Sequence, residues 1–280
     1  MITKIHTPYI IAIPTYKRHT TIAENTLKVL AEHHIPANLI YLFVADEVEK
    51  RLYSTTVPAS LYGHIIVGQL GLHQQRNFIS DYFPEGQYII ELDDDVTGIF
   101  QLTKSRSTKR MTKKRKFYQH LASITNLHQF FLSAFEQLEA SKLYLFGVYP
   151  VCNGYFMTST TTTDLRFIVG PLWGFINRHN PALRLTISEK EDSERTLQFY
   201  TMDGGVLRFN NIAFKTNYYT NKGGMQAEGK NRKLESRHAA EYLNAKYPKL
   251  TKISYVKKSG YAEIKFINTS KYKGINKLIN

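Results

Sequence analysis

Tyr88-Ile89-Ile90-Glu91-Leu92-Asp93-Asp94-Asp95 is the stretch on which the reading of this chain turns. A short run rich in Ile, Leu and Tyr, without strict alternation, has the pattern of a strand buried on both faces of a parallel sheet. Its C-terminal tip then delivers three carboxylates in a row. Carboxylates this close cannot all ionise cheaply in one site, so a hard divalent cation or a lattice of hydrogen-bond donors is expected to compensate them. Chemistry on a phosphate is the expectation.

Three similar apolar runs precede this one, at 9–13, 39–44 and 64–67. Between them lie helical patterns at 20–33, with Ile22, Ala23, Thr26, Leu27 and Leu30 at helical spacing, and at 74–82. The βαβαβαβ order predicts an α/β fold with a mostly parallel central sheet flanked by helices. In such sheets ligands bind beyond the carboxyl ends of the strands. The first tip, Pro14-Thr15-Tyr16-Lys17-Arg18, offers a fixed turn, an aromatic face for a base and two cations for phosphate. At the second, Asp46 or Glu47 can accept from a base N–H or a ribose hydroxyl. After the third, Arg76 and Asn77 open a helix, where a guanidinium fork and the helix N-terminus can meet a diphosphate. No Gly-x-x-x-x-Gly-Lys-Ser/Thr is present and no Gly-x-Gly-x-x-Gly follows the first strand, which argues against P-loop and classical dinucleotide sites.

The second half supplies an acid pair. Glu191-Asp192 opens a predicted helix, and an acceptor hydroxyl attacking a sugar carbon needs a carboxylate to take its proton; Asp192 is the candidate base. Arg195, one turn on, can orient it or meet a leaving phosphate. The glycine-rich basic stretch around Asn221-Lys222-Gly223-Gly224-Met225 reads as a lid over a diphosphate. Residues 165–178 read as two strands joined near Gly170-Pro171, and 236–247 as an amphipathic helix. Short terminal strands follow at 253–256 and 262–267.

These motifs resemble the GT-A-type nucleotide-sugar glycosyltransferases, in which an Asp-x-Asp tip holds Mn²⁺ or Mg²⁺ against the donor diphosphate. The resemblance implies that Asp93 and Asp95 are metal ligands with Asp94 between them facing the donor, and that His238 completes the metal shell. The order of motifs across roughly 8–248 is similar to the TET/JBP-associated glycosyltransferase family of viruses, phages and kinetoplastids. That likeness implies a Rossmann-type sheet with a smaller antiparallel acceptor-side sheet. It also implies transfer from a nucleotide-sugar, expected to be a UDP-sugar, to the hydroxyl of a 5-hydroxymethylpyrimidine in DNA. The expected organisation is one domain over 1–250, with a nucleotide-sugar half at 1–100, a basic loop at 101–118 and an acceptor half at 119–250. A C-terminal hairpin and tail would occupy 251–280.

Charge points the same way. The 280 residues carry 37 Lys and Arg against 23 Asp and Glu, a formal +14 that suits a polyanionic partner, with DNA expected before membrane. Eight of these cations, Lys104, Arg106, Lys109, Arg110, Lys113, Lys114, Arg115 and Lys116, fall within thirteen residues just after the acidic tip. They read as a clamp for a nucleic-acid backbone. If duplex DNA is the acceptor its base must leave the stack, and Trp173 is a candidate surface for it. No apolar run reaches the roughly 20 residues of a membrane span and no signal-peptide pattern opens the chain, so a cytoplasmic protein is expected. The single cysteine, Cys152, excludes an internal disulfide framework. Two other readings remain open: the same enzyme class acting on a protein or glycan, and a nucleic-acid-binding module without turnover.

Overall fold

The computed structural model describes residues 9–103, 120–217, 224, 231–255 and 260–267. All four expected strands form: β1 (Ile10–Pro14), β2 (Ile40–Val44), β3 (His64–Val67) and β4 (Tyr88–Leu92). They pair in parallel in the spatial order β3-β2-β1-β4. Helices α1 (Thr26–Glu32), α2 (Glu47–Thr56) and α3 (Leu72–Tyr82) connect them. The first helix is shorter than its periodicity suggests: residues 19–25 form turns and Asn25 leaves the helical conformation just before Thr26. The Thr26 hydroxyl donates to the Asp93 carbonyl at 2.6 Å and accepts from the Val96 amide at 3.0 Å, tying the helix start to the acidic tip.

Beyond the tip the chain turns back as β5 (Val96–Thr103), followed by β6 (His120–Ser123), α4 (Leu127–Ser141), β7 (Leu145–Tyr149), the short β8 (Thr161–Thr162) and β9 (Leu172–Ile176). Then come α5 (Glu191–Asp203), β10 (Leu207–Thr216), α6 (Arg232–Lys246) and an antiparallel hairpin of β11 (Thr251–Tyr255) and β12 (Ala262–Phe266). The central sheet continues from β4 as β9-β7-β10-β5-β6, with β8 on β10. Strand β9 is antiparallel to both its neighbours, and β5 and β6 add an antiparallel edge.

Of the two strands expected in 165–178, only the second exists. Residues 165–171 instead cross the sheet face as irregular chain. The Thr196 hydroxyl of α5 lies against the Ile168 amide and carbonyl in place of a neighbouring strand, at 3.2 and 3.3 Å. Ile168 lies directly over Gly147 of β7, in the space a Cβ would need.

Apolar side chains fill both faces of the sheet. Ile90, Phe146 and Leu172 belong to one core, and Ile89, Leu145, Trp173 and Phe175 to the other. The row Ile90, Gly174, Phe146 crosses three strands, and its centre must be glycine because the Phe146 ring lies across it. A Cβ on Gly174 would sit 2.3 Å from that ring and 2.8 Å from Ile90. Gly174→Ala is therefore expected to destabilise the fold by about 2 kcal/mol through overpacking. Chemical denaturation checks this, and a loss near zero would show that Phe146 can turn aside without cost.

Candidate active site

The carboxyl ends of β1 and β4 and the first turn of α5 face one open cleft of about 1040 Å³. Thr15, Tyr16 and Arg18 line it at the β1 tip, Asp93, Asp94 and Asp95 at the β4 tip, and Glu191 and Asp192 at the helix start. The first and fourth sequence-predicted tips are thus brought together with the acid pair, whereas Arg76 and Asn77 do not line the cleft and neither do the acids after the second strand. There Asp46 turns back to cap α2, accepting from the Val48 and Glu49 amides at 2.9 and 2.8 Å. Neither Asp46 nor Glu47 lines the cleft, whose wall at that point is Ala45.

Each aspartate of the triplet has a different setting. Asp94 is buried and points back into the protein, taking the Thr15 hydroxyl at 2.6 Å and the Arg18 guanidinium. Because Thr15 spends its only proton on Asp94, the Tyr53 hydroxyl must donate to Thr15, at 2.6 Å, and it also accepts the Arg18 amide at 3.1 Å. Glu49 fixes the same turn by accepting the Lys17 amide at 2.8 Å, where Lys17 has a left-handed φ of 55°. Asp94 is therefore the anchor of the β1 tip and not a group free to meet a donor. Asp93 and Asp95 keep side-chain exposures of 29% and 15% and open to the cleft. Burial pushes the Asp93 carboxyl up to about 6, with Arg76 opposing the rise and Asp95 adding to it. Among the described residues no group of three or more His, Cys, Asp or Glu surrounds one point. A closed protein cage is thus excluded there, whereas an ion bound by one or two carboxylates and completed by phosphates and water fits this donor set.

Beneath the tip lies a buried charge cluster that sequence reasoning missed. Glu91 is fully buried and accepts from Arg76 at 2.6 Å and the Trp173 indole at 3.0 Å, and it pairs with Arg195 at 3.3 Å. Trp173 lies between the two guanidiniums, 4.2 Å from Arg76 and 4.7 Å from Arg195. Arg76 also reaches Asp93 at 3.0 Å and Glu191 at 3.6 Å. Three expectations are corrected here. Arg76 and Arg195 are buried counter-charges to Glu91, out of reach of a diphosphate, and Trp173 is enclosed and cannot stack on an extruded base. The signal that could have revealed the cluster was a carboxylate in the middle of an otherwise apolar strand, which demands buried cations.

At the helix start, Lys190 adopts a left-handed φ of 63° and α5 begins at Glu191. Asp192 accepts from the Ser193 amide at 2.7 Å and the Gly170 amide at 3.4 Å. Burial raises the Asp192 carboxyl, and these two amides work against the rise. Burial and then the Asp192 charge raise Glu191, against the pull of Arg76. The donors therefore favour Asp192 as the ionised member of the pair. Glu194 is fully buried and accepts from the amides of Thr186 and Ile187 at 2.7 and 3.2 Å, holding the loop before the helix in place.

Other expected site residues lie elsewhere. Asn77 donates to and accepts from the Leu185 backbone, at 2.8 and 2.9 Å, and does not line the cleft. His238 is on the exposed side of α6 away from the cleft, to which that helix contributes Arg232 and Glu235. Gly224 does line the cleft, with its amide on the Tyr16 carbonyl at 3.1 Å and its α-carbon against Arg18, where a left-handed φ of 65° suits glycine. Lys222, Gly223 and the run from Lys104 to Lys116 fall outside the described residues. The terminal hairpin, to which no role was assigned from sequence, contributes Glu263, Ile264 and Phe266 to the cleft wall.

No family model matches the chain, and no curated protein matches its sequence. Among solved structures, S. aureus TarS 1-349 in complex with UDP-GlcNAc matches with a TM-score of 0.50 at 13% identity, over 86% of this chain and 73% of that one. In another TarS 1-349 structure the match spans 59% of the TarS chain, and it spans 43% of the longer TarS. Glucosyl-3-phosphoglycerate synthase from Mycobacterium tuberculosis, in complex with Mn²⁺, UDP-Glc and phosphoglyceric acid, matches at a TM-score of 0.46 and 8% identity, over 94% of this chain and 88% of that one. The mannosyltransferase PcManGT from Pyrobaculum calidifontis, in complex with GDP-Man and Mn²⁺, matches at 0.42 and 13% identity, over 72% and 56%. The likeness is one of fold: a GT-A-type α/β architecture with a mostly parallel sheet flanked by helices. Among the described residues no helix is long and apolar enough to cross a membrane.

Removing the shared carboxylate strips the buried Arg195 of its ion-pair partner and leaves Arg76 only Asp93 and Glu191 at the cleft edge. Glu91→Ala is expected to cost about 3 to 5 kcal/mol of unfolding free energy. Urea denaturation measures it, and a cost below about 1 kcal/mol would mean that Asp93 and Glu191 can neutralise Arg76 by themselves.

Proposed function

We propose that the protein is a cation-dependent glycosyltransferase that moves a sugar from a nucleotide-sugar, a UDP-sugar by preference, to an acceptor hydroxyl. The observation that carries this reading is the pair Asp93 and Asp95, open at the strand tips of a GT-A-type sheet, with Asp192 in the same cleft. Asp93 and Asp95 would hold Mn²⁺ or Mg²⁺, which when bound supplies positive charge to the donor diphosphate. Solved structures of the same fold carry such donors, UDP-GlcNAc in TarS among them.

The chain's own residues account for the remaining steps. Tyr16 offers a ring to the base, and Arg18 meets the phosphates from the side of the cleft it shares with Asp95. Asp192 removes the proton of the acceptor hydroxyl as its oxygen bonds to the anomeric carbon, the bond to the diphosphate oxygen breaks, and the nucleoside diphosphate leaves with the electron pair. Direct displacement inverts the anomeric centre. For the acceptor we propose a 5-hydroxymethylpyrimidine in DNA. The support is the net charge of +14, the basic run at 104–116 and the motif order similar to the TET/JBP-associated family. Trp173 no longer contributes to that argument.

The test is sugar transfer from a panel of nucleotide-sugars to DNA carrying hydroxymethyluracil or hydroxymethylcytosine, with and without Mn²⁺. Transfer is expected only with the cation present, and the absence of any sugar release from every donor would defeat the enzyme reading. Asp192→Asn is expected to lower kcat by about 10²- to 10⁴-fold with donor Kd unchanged, as loss of a general base should. A product of retained configuration would remove Asp192 from that role. In Asp93→Asn or Asp95→Asn, Mn²⁺-dependent tightening of UDP binding should disappear in calorimetry, while metal-free UDP affinity changes little.

A further inference from the structure

One row of residues crosses the sheet on the face that carries the site. Glu91 of β4 is in register with Trp173 of β9, Trp173 with Gly147 of β7, and Gly147 with Arg208 of β10. Arg208 therefore stands two strand spacings from Trp173, about 10 Å along the sheet. The arginines over this face divide sharply. Arg76 and Arg195 are consumed by Glu91, whereas Arg208 forms no ion pair among the described residues. Its Nε donates to Asn210 at 2.8 Å, and its guanidinium lies 5.2 Å from the Tyr149 ring centre and opens to the cleft. Asn210 is itself buried and held near Thr160 and Thr162 of the β8 segment, so the fork is fixed in direction.

A second arginine faces the same wall. Arg166 is gripped through Nε and Nη2 by Asp164 at 3.0 Å, which fixes its position in the cleft lining. Asp164 is thus spent on Arg166, and two guanidiniums are left close together with one carboxylate between them. Burial and then the charge of Arg166 pull Arg208 down to about 10, so the arrangement works against Arg208 until an anion arrives. From Arg166 the chain runs through Phe167 and Ile168 to Gly170, whose α-carbon abuts Glu191 and Asp192. Arg166 and Arg208 thus line the same cleft as the proposed base.

We infer that Arg208 and Arg166 form an anion subsite that holds a phosphate group of the acceptor, placing its hydroxyl at Asp192. This deepens the glycosyltransferase reading and rests on it. Two cations at fixed orientation suit the bidentate recognition of phosphate. The ring of Tyr149 beneath Arg208 stiffens the fork without neutralising it. The same chemistry serves an internal phosphodiester, as in a nucleic-acid strand, or a terminal phosphomonoester.

The test is calorimetric titration of the full-length protein, first saturated with UDP and Mn²⁺, with inorganic phosphate and, separately, with a thymidine trinucleotide. At least one probe should bind alongside UDP, and the tighter of the two identifies diester or monoester. Arg208→Gln and Arg166→Gln should each weaken that probe by about tenfold or more, the loss of a charged hydrogen-bonding partner, while UDP affinity stays within about twofold. The Arg166 side chain is 34% exposed, so its variant keeps the test meaningful if Arg208→Gln folds poorly by circular dichroism. Neither probe binding wild type, or binding unchanged in both variants, would overturn the subsite. Loss of UDP affinity in parallel with the probe would assign the arginines to the donor instead. Failure of UDP itself to bind would count against the donor reading alone, since the phosphate titration can then be run on the free protein.

Discussion

The carboxylate of Glu91 is the constraint from which the rest of the site follows. It is fully buried in the central sheet and shared by two arginines that come from different helices, Arg76 of α3 and Arg195 of α5. Desolvating three charged groups together is tolerable only when their geometry is close and their hydrogen bonds are made. The Trp173 indole supplies a further donor and its ring separates the two cations. What the cluster secures is position. It locks α3 and α5 onto the end of β4, and through Arg76 it fixes the distance between Asp93 and Glu191. The cleft carboxylates are thus mounted on a charge network.

The strand tips were legible in sequence because parallel strands buried on both faces are short apolar runs, and the residues after them are where ligands collect. Tyr88 to Leu92 followed by three aspartates is unambiguous on those terms, as is an acidic pair opening a helix at Glu191. The βαβαβαβ order calls for a helix after β2, but Asp46 was given to the nucleotide when it is the cap that starts that helix. Cap and ligand both call for an exposed acceptor at the end of a strand, and only the position of the following amides separates them. In the same way, 165–171 has the apolar content of a strand, but its Ile168 meets Thr196, 28 positions on, a contact that sequence windows do not reach.

Two arginines are among the residues that the sequence misassigned. Arg76 and Arg195 sit at helix starts near a proposed phosphate and were read as its ligands, while Arg166 and Arg208 drew no attention. The structure exchanges the roles because the direction of a guanidinium depends on which carboxylate it can reach. A cation next to a buried acid is drawn inward, and one whose neighbours are Asn210 and a tyrosine ring remains available. Glu91 was the clue, since one apolar strand does not hold a bare charge. Its partners were open to deduction in kind, though not in identity.

The same balance of charge bears on why a cation belongs in this cleft. Asp93, Asp94, Asp95, Glu191 and Asp192 line it, Glu91 lies buried beneath them, and Arg18, Arg76 and Arg195 are embedded among these carboxylates. Asp94 is answered by Arg18, and Glu91 more than answered by the other two, which leaves the open carboxylates Asp93 and Asp95 only partly neutralised. A diphosphate approaching that tip meets net negative charge, and binding there requires positive charge carried in with it or bound beforehand. A divalent ion held there by Asp93 and Asp95 would meet that requirement.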